Sequence, residues 1–207
     1  MMKTEEINKQ EVYCYLGYRG GARPDEETAK RIDRCIAQIA AASQPRKAVK
    51  RMPIVTCPDE EDTLLFGGMR VKSRNLSHHL AGCTEIVVFA ATVGIGVDRL
   101  IKRASISGMA DAAILQAAGA AAVEAVCDRI EEEINHTAAK DGLKARHRFS
   151  PGYGDFALSH QPEVLSMVNA TKLTGITLTD GYLMVPSKSV TAVIGLYHED
   201  TGDTDTR

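Results

Sequence analysis

The stretch at residues 148–153, Arg-Phe-Ser-Pro-Gly-Tyr, carries side chains suited to holding a small ligand. Arg148 can clamp a carboxylate through two parallel hydrogen bonds, and Tyr153 can pack on a ring or point its hydroxyl at a partner. Pro151 fixes one backbone angle and has no N–H, whereas Gly152 permits positive φ and a close backbone approach. Ligands are often held on irregular loops of this kind, but an isolated Pro-Gly-Tyr-Gly also marks an ordinary surface turn.

A carboxylate in an apolar helical segment is the second candidate for binding. Glu124 lies within the run Ala-Ala-Ala-Val-Glu-Ala-Val at residues 120–126. Burying a lone charge is costly, so this carboxylate must be paired or lie at the edge of a cavity. Two interpretations stay open, a structural salt bridge to a neighbouring arginine and a partner for a cationic group of a ligand.

Other chemical motifs are weaker. The 90–99 segment runs from an apolar strand through two glycines into a helix, an arrangement that can cradle an anion. It lacks the third glycine of a dinucleotide fingerprint and the lysine of a P-loop, so we prefer a tight strand-to-helix turn. His78 and His79 are adjacent and point in different directions, so we expect no shared metal. No Ser-His-Asp or Cys-His arrangement is evident, and we predict no catalytic residue.

Composition places the chain among ordinary globular proteins. Its 207 residues are 44% hydrophobic and 25% charged, with a net charge of −2 and a pI near 6.3. No broad basic field exists for nucleic acid. The five cysteines include no Cys-x-x-Cys pair and are odd in number, which predicts reduced, core-type thiols and no zinc site. The N-terminus has no apolar signal core and the alanine-rich segment at 110–127 is no membrane span, so we expect a cytoplasmic protein.

Hydrophobic periodicity predicts strands in hairpins mixed with blocks of helix. This mixture favours an α+β fold with a twisted, largely antiparallel sheet and flanking helices. We expect one domain over residues 1–197 and a disordered acidic tail at 198–207. The predicted elements are a helix from Pro24 to about residue 44, a Gly-Gly hairpin at 63–71, a central strand at 85–91, a helix at 109–140, a helix at 160–170 capped by Ser159, a hairpin around Asp180-Gly181 and a final strand at 187–197.

Two motifs together resemble a known family. Residues 148–153 are similar to the Arg-Pro-Ala-Pro-Gly-Tyr signature of the activation domain of cobalamin-dependent methionine synthase. Residues 178–190, Leu-Thr-Asp-Gly-Tyr-Leu-Met-Val-Pro-Ser-Lys-Ser-Val, resemble the Leu-Thr-Glu-Ser-…-Pro-…-Ser-Val segment of that domain. Tyr15-Leu-Gly-Tyr-Arg and Ala90-Ala-Thr-Val-Gly are typical of its free-standing versions. The chain departs from the pattern at Gly154, where longer members have a second proline.

The resemblance implies a site for S-adenosylmethionine. Arg148 would bind the carboxylate of the ligand, and Glu124 would supply an anion for its amino group or sulfonium. Backbone groups would read the adenine edge, and an aromatic side chain would pack against the ligand. The residues implied for this site are Arg148, Ser150, Pro151, Gly152, Tyr153 and Glu124.

The family's reaction implies partners. Its activation domain docks on the cobalamin-bearing part of methionine synthase, where a flavodoxin-like donor delivers an electron and the methyl group of S-adenosylmethionine passes to cobalt. The chain would then support reactivation of cob(II)alamin as a component of that methyltransferase activity, on methionine synthase or another corrinoid protein. Two alternatives stay open: a docking module for a corrinoid methyltransferase that does not bind S-adenosylmethionine, and an unrelated enzyme using the 90–99 turn.

Overall fold

The computed structural model describes residues 2–57 and 59–198, and within them helices and strands are mixed along the chain. The helices are α1 Lys9–Tyr15, α2 Glu26–Ala42, α3 Arg74–His79, α4 Ile95–Ser107, α5 Met109–Lys140, α6 Gln161–Met167 and α7 Ala170–Thr174, with short 3-10 helices at Thr4–Glu6 and Leu158–His160. The strands are β1 Arg46–Pro53, β2 Val55–Thr56, β3 Thr63–Phe66, β4 Met69–Lys72, β5 Glu85–Thr92, β6 Leu143–Ala145, β7 Thr177–Leu178, β8 Met184–Val185 and β9 Ser189–His198.

The strands form three sheets. The largest has the order β1-β5-β9-β6, the second β2-β3-β4, and the third is the β7-β8 hairpin. The pairs β2–β3, β3–β4, β6–β9 and β7–β8 are antiparallel. Strand β5 is an inner strand and is buried from Ile86 to Thr92, as its almost continuous apolar run predicts. The α+β class with antiparallel sheets is therefore confirmed.

The chain is divided into two compact units. The first combines the N-terminal residues through Lys47 with Ala91–Asp128 and Thr174–Val190, and the second combines Ala48–Ala90 and Arg129–Leu173 with the described residues from 191 onward. In the first unit, α2 buries the face predicted from its spacing, including Ile32, Ile36 and Ile39. Asp25 caps this helix by accepting from the N–H of Thr28 at 2.8 Å. Pro24 therefore precedes the cap and does not occupy the first turn that was predicted for it.

In the second unit, the predicted Gly-Gly hairpin joins β3 to β4. Gly67 and Gly68 have φ of 57° and 84°, values that glycine adopts without a steric penalty. A side chain at Gly67 would meet the sulfur atoms of Met167 and Met52, which lie 2.6 and 2.8 Å from where its Cβ would be. The positive φ of the turn favours glycine at this position, and any side chain there would also displace the flexible ends of the two methionines.

Helix α5 has the predicted bounds at 109–140. It is long and apolar enough to cross a membrane by length and composition alone, and 61% of an 18-residue apolar stretch of it is buried inside the protein. Its buried residues include Leu115, Ala118 and Ile130. All five cysteines are free of disulfides. Cys35 and Cys127 are buried as predicted, whereas Cys14 is exposed and is not a core residue.

Two sequence-based predictions near residue 160 are wrong. The single helix expected at 160–170 is a 3-10 turn followed by α6 and α7, because Asn169 adopts a left-handed φ of 54° and ends the helical path. Ser159 lies inside the 3-10 turn, and His160 occupies the cap position of α6, where its side chain makes no capping hydrogen bond to the backbone. The tail predicted at 198–207 lies outside the described residues, apart from His198 at the end of β9.

Candidate functional site

A loop in the second unit, residues 146–157, carries the Pro-Gly-Tyr motif and is shaped by its own backbone. Phe149 exchanges two hydrogen bonds of 2.9 Å with Val193, which fixes the start of the loop on β9. Tyr153 N–H then donates to Ser150 O at 3.2 Å, and Gly152 N–H donates to Phe156 O at 2.7 Å. These bonds fold residues 150–156 into a compact double turn.

Rings pack beneath this turn. Phe149 lies 5.1 Å from His79 and 6.4 Å from Phe156, measured between ring centroids. Tyr153 meets the edge of Phe149 at 6.5 Å, yet 68% of Tyr153 is exposed. The loop therefore rests on an aromatic base and presents Tyr153 to solvent, where a flat ligand could stack on it.

Arg148 is paired with a carboxylate from α5. Its Nη1 atom lies 2.5 Å from Oε1 of Glu131, and the side chains are only 27% and 17% exposed. A charged hydrogen bond of this length in a largely desolvated position holds the guanidinium in one orientation. Arg148 also interacts elsewhere in the protein, so Glu131 is not its sole partner.

Asp155 ties the same loop to helix α3. Its carboxylate accepts from the hydroxyl of Ser73 at 2.5 Å and from the N–H groups of Arg74 and Asn75 at 2.8 and 3.1 Å. The hydrogen bond from Ser73 and those from the two backbone groups hold the pKa of Asp155 below its usual value. Asp155 thus satisfies backbone donors that the start of a helix otherwise leaves unpaired.

The 90–99 segment, in the first unit, is a tight strand-to-helix turn. Gly94 caps α4 with φ of 88°, and its N–H donates to Oγ1 of Thr92 at 3.0 Å. Val93 donates to the carbonyl of Lys188 at 3.1 Å and accepts from the N–H of Gln44 at 2.8 Å. The turn is closed by the protein's own polar groups, which confirms the preferred interpretation.

Comparison with known proteins identifies a solved structure of similar architecture. No family model matches the chain, and no curated protein matches it in sequence. Among solved structures, the crystal structure of the MetH reactivation domain bound to AdoHcy is similar, with a TM-score of 0.68 and 16% sequence identity over 97% of this chain and 77% of that chain. The chain has the fold of the MetH reactivation domain. This confirms, for the fold, the resemblance carried by the two sequence motifs.

Within the MetH reactivation-domain fold, most of the predicted site residues share one loop. Arg148 and Ser150 are half-buried, Pro151 is buried, and Gly152 and Tyr153 are exposed. The N–H of Gly152 is already donated to the carbonyl of Phe156 at 2.7 Å. The structure thus narrows the backbone groups available to a ligand.

Glu124 lies on α5 in the first unit and is half-buried between Val123 and Val126, which are buried. It is not an isolated charge. Its placement agrees with the sequence argument that a carboxylate in this segment needs compensation. Its role toward a ligand stays a prediction.

Three residues that shape the loop of this MetH-like fold had no assigned role in the sequence interpretation: Glu131, Asp155 and His79. Glu131 is 17 positions from its partner Arg148. Asp155 is 80 to 82 positions from the three residues that donate to it. Glu131 could have been proposed as a partner for an arginine, because it is an acid that follows the apolar segment of α5. Among the described residues, no group of three His, Cys, Asp or Glu side chains is arranged to hold a metal ion.

Proposed function

We propose that this chain binds S-adenosylmethionine and supports the reductive reactivation of cob(II)alamin on a cobalamin-dependent methionine synthase. The observation that carries the proposal is the fold, which is shared over 97% of the chain with a MetH reactivation domain that was crystallised with AdoHcy. The Arg-x-x-Pro-Gly-Tyr motif supports it independently, because the motif occupies an exposed loop on an aromatic base.

In this proposal the loop binds and orients the ligand. Arg148 meets the ligand carboxylate with its guanidinium group, which Glu131 orients. Tyr153 stacks on a ring of the ligand, and the carbonyl of Gly152 accepts from the adenine amino group. Glu124 supplies a negative charge for the amino group or the sulfonium. No group of the chain transfers a proton or forms a covalent bond, so its contribution is positioning.

The chemistry resides in the two cofactors. S-adenosylmethionine would supply the methyl group and leave as S-adenosylhomocysteine, and the cobalamin of the partner would accept that group after reduction by one electron from a flavodoxin-like donor. The partner is either a methionine synthase, which would place the chain in methionine biosynthesis in the cytoplasm, or another corrinoid protein. Exposed apolar side chains on the β7-β8 hairpin, Leu183 and Val185, offer surface that a protein partner can cover.

Calorimetric titration of the purified chain with S-adenosylmethionine tests the first half of the proposal. Saturable binding that weakens in Tyr153→Ala is expected, since this variant removes an exposed side chain and spares the buried core. The second half is tested by adding the chain to a methionine synthase held as cob(II)alamin with a flavodoxin and its reductase, and following the recovery of activity. Recovery without measurable binding would favour a docking module that does not use S-adenosylmethionine.

A further inference from the structure

Helix α3 holds the candidate binding loop at both ends. At its N-terminus, Ser73, Arg74 and Asn75 donate three hydrogen bonds of 2.5 to 3.1 Å to the carboxylate of Asp155. At its C-terminus, the Nε2–H of His79 donates to the carbonyl of His147 at 2.8 Å. A helix of six residues thus spans the loop from residue 147 to residue 155.

The binding loop also packs closely against helix α3, in addition to its hydrogen bonds with that helix. A Cβ on Gly154 would lie 2.8 Å from Cγ of Asn75, so only glycine fits there. Gly154 also has φ of 54°, which proline cannot adopt because its ring fixes φ near −65°. The glycine at the position of the second proline therefore has a backbone conformation that proline could not adopt.

The binding loop needs contacts that hold it in one conformation, because two glycines in its sequence make its own backbone flexible. Gly152 and Gly154 both have positive φ, and residues 152–155 are exposed. Glycine loses more conformational freedom on ordering than any other residue. A ligand that binds a disordered loop must supply this ordering free energy, whereas a pre-ordered loop keeps the full affinity.

The oxygens of Asp155 are already engaged. Oδ1 accepts from Ser73 and Asn75, and Oδ2 accepts from Arg74. A carboxylate beside the Pro-Gly-Tyr motif could serve as an anion for a ligand, but the hydrogen bonds of Asp155 direct it to the helix. Asp155 would therefore affect a ligand by fixing the position of the loop.

We propose that Asp155 is a positioning residue of the S-adenosylmethionine site, which fixes Gly152 and Tyr153 by fastening the loop to the N-terminus of α3. This inference rests on the proposed function for its ligand, but the ordering of the loop is a separate property that can be measured without ligand. Ser73 also accepts from Leu76 N–H at 3.1 Å, so α3 keeps a cap of its own when Asp155 is changed.

The test compares Asp155→Ala and Asp155→Asn with the wild type. Asp155→Ala removes both acceptor oxygens and all three hydrogen bonds, and should weaken S-adenosylmethionine binding by roughly tenfold, the size of one charged hydrogen bond. Asp155→Asn keeps one acceptor oxygen and should recover part of that loss. Hydrogen exchange of the amides at 150–156 should rise in the alanine variant and rise less in the asparagine variant.

Asp25→Ala is the matched control, because Asp25 also caps a helix through its carboxylate, at the start of α2. It should lower the melting temperature without changing affinity. An unchanged dissociation constant in Asp155→Ala would overturn the proposal, as would a loss no greater than that in Asp25→Ala. If the wild type itself does not bind S-adenosylmethionine, the proposed function fails. Unchanged exchange at 150–156 in Asp155→Ala would then overturn the positioning role independently.

Discussion

The Nη1 atom of Arg148 lies 2.5 Å from Oε1 of Glu131, with both side chains mostly withdrawn from solvent. Arg148 therefore has a structural partner as well as a predicted ligand. Removing one member of a partly buried pair weakens the electrostatic compensation of the other charge. The two roles of Arg148 must be separated by experiments on both members of the pair.

Arg148→Ala should reduce both stability and affinity, whereas Glu131→Gln should mainly reduce stability. We expect each variant to lower the free energy of unfolding by about 1–3 kcal/mol, since the pair is partly exposed. Only Arg148→Ala should raise the dissociation constant for S-adenosylmethionine by tenfold or more, roughly one charged hydrogen bond. Urea denaturation and calorimetry measure the two quantities. Equal affinity losses in the two variants would show that Arg148 acts through Glu131 and not on the ligand.

Local patterns in the sequence were sufficient for much of the fold. The inward face of α2 follows from apolar residues at helical spacing, and the β3-β4 turn follows from two glycines between apolar runs. Strand β5 follows from its continuous apolar stretch. Each of these features depends on neighbours within a few positions, so one sequence contains the information.

The attachments of the binding loop were not predictable in the same way. Asp155 meets Ser73 across 82 positions, and nothing near either residue signals the other. The break between α6 and α7 was also missed, because Asn169 adopts a left-handed conformation that is uncommon even for asparagine. Sequence motifs located the loop, but the contacts that hold it depend on how distant segments pack.

His79 should make stability depend on pH. Burial is the main reason that its pKa lies below the ordinary value of 6.5, and the charges of Arg146, His147 and His78 act in the same direction, while the hydrogen bond to the carbonyl of His147 opposes them. The unfolded chain therefore takes up a proton more readily than the folded one. The contribution of His79 to stability is present above pH 6.5 and is lost as pH falls through its folded pKa.

We expect the free energy of unfolding to fall between about pH 7.5 and about pH 5.5, and His79→Gln to remove part of that fall. Urea denaturation at several pH values provides the measurement. His78→Gln is the control, because His78 is the exposed neighbour on the same helix. Identical pH profiles in wild type and His79→Gln would contradict the prediction.

Gly96 permits the close approach of α4 to the end of α2. A Cβ at this position would lie 2.6 Å from the carbonyl oxygen of Ala42, a backbone atom that cannot move aside alone. Gly96→Ala should therefore destabilise the protein by about 1–3 kcal/mol, although alanine is the better helix former. Gly108→Ala is the control, since no heavy atom lies within 4 Å of its Cβ position. Gly108→Ala should change stability by less than about 0.5 kcal/mol, and equal effects in the two variants would refute the packing argument.

Glu124→Gln decides between the two interpretations of the carboxylate within α5. The amide keeps the size of the side chain and some hydrogen bonding but loses the charge. If Glu124 neutralises a cationic group of the ligand, affinity for S-adenosylmethionine should fall roughly tenfold while the melting temperature stays within a few degrees of wild type. If it belongs to a structural salt bridge, the melting temperature should fall and affinity should be retained. Glu132→Gln, an exposed acid on the same helix, should change neither quantity. Intact binding with a lowered melting temperature would remove Glu124 from the site, and the anion would then be sought first at Asp180, because the carboxylate of Asp155 is engaged by α3.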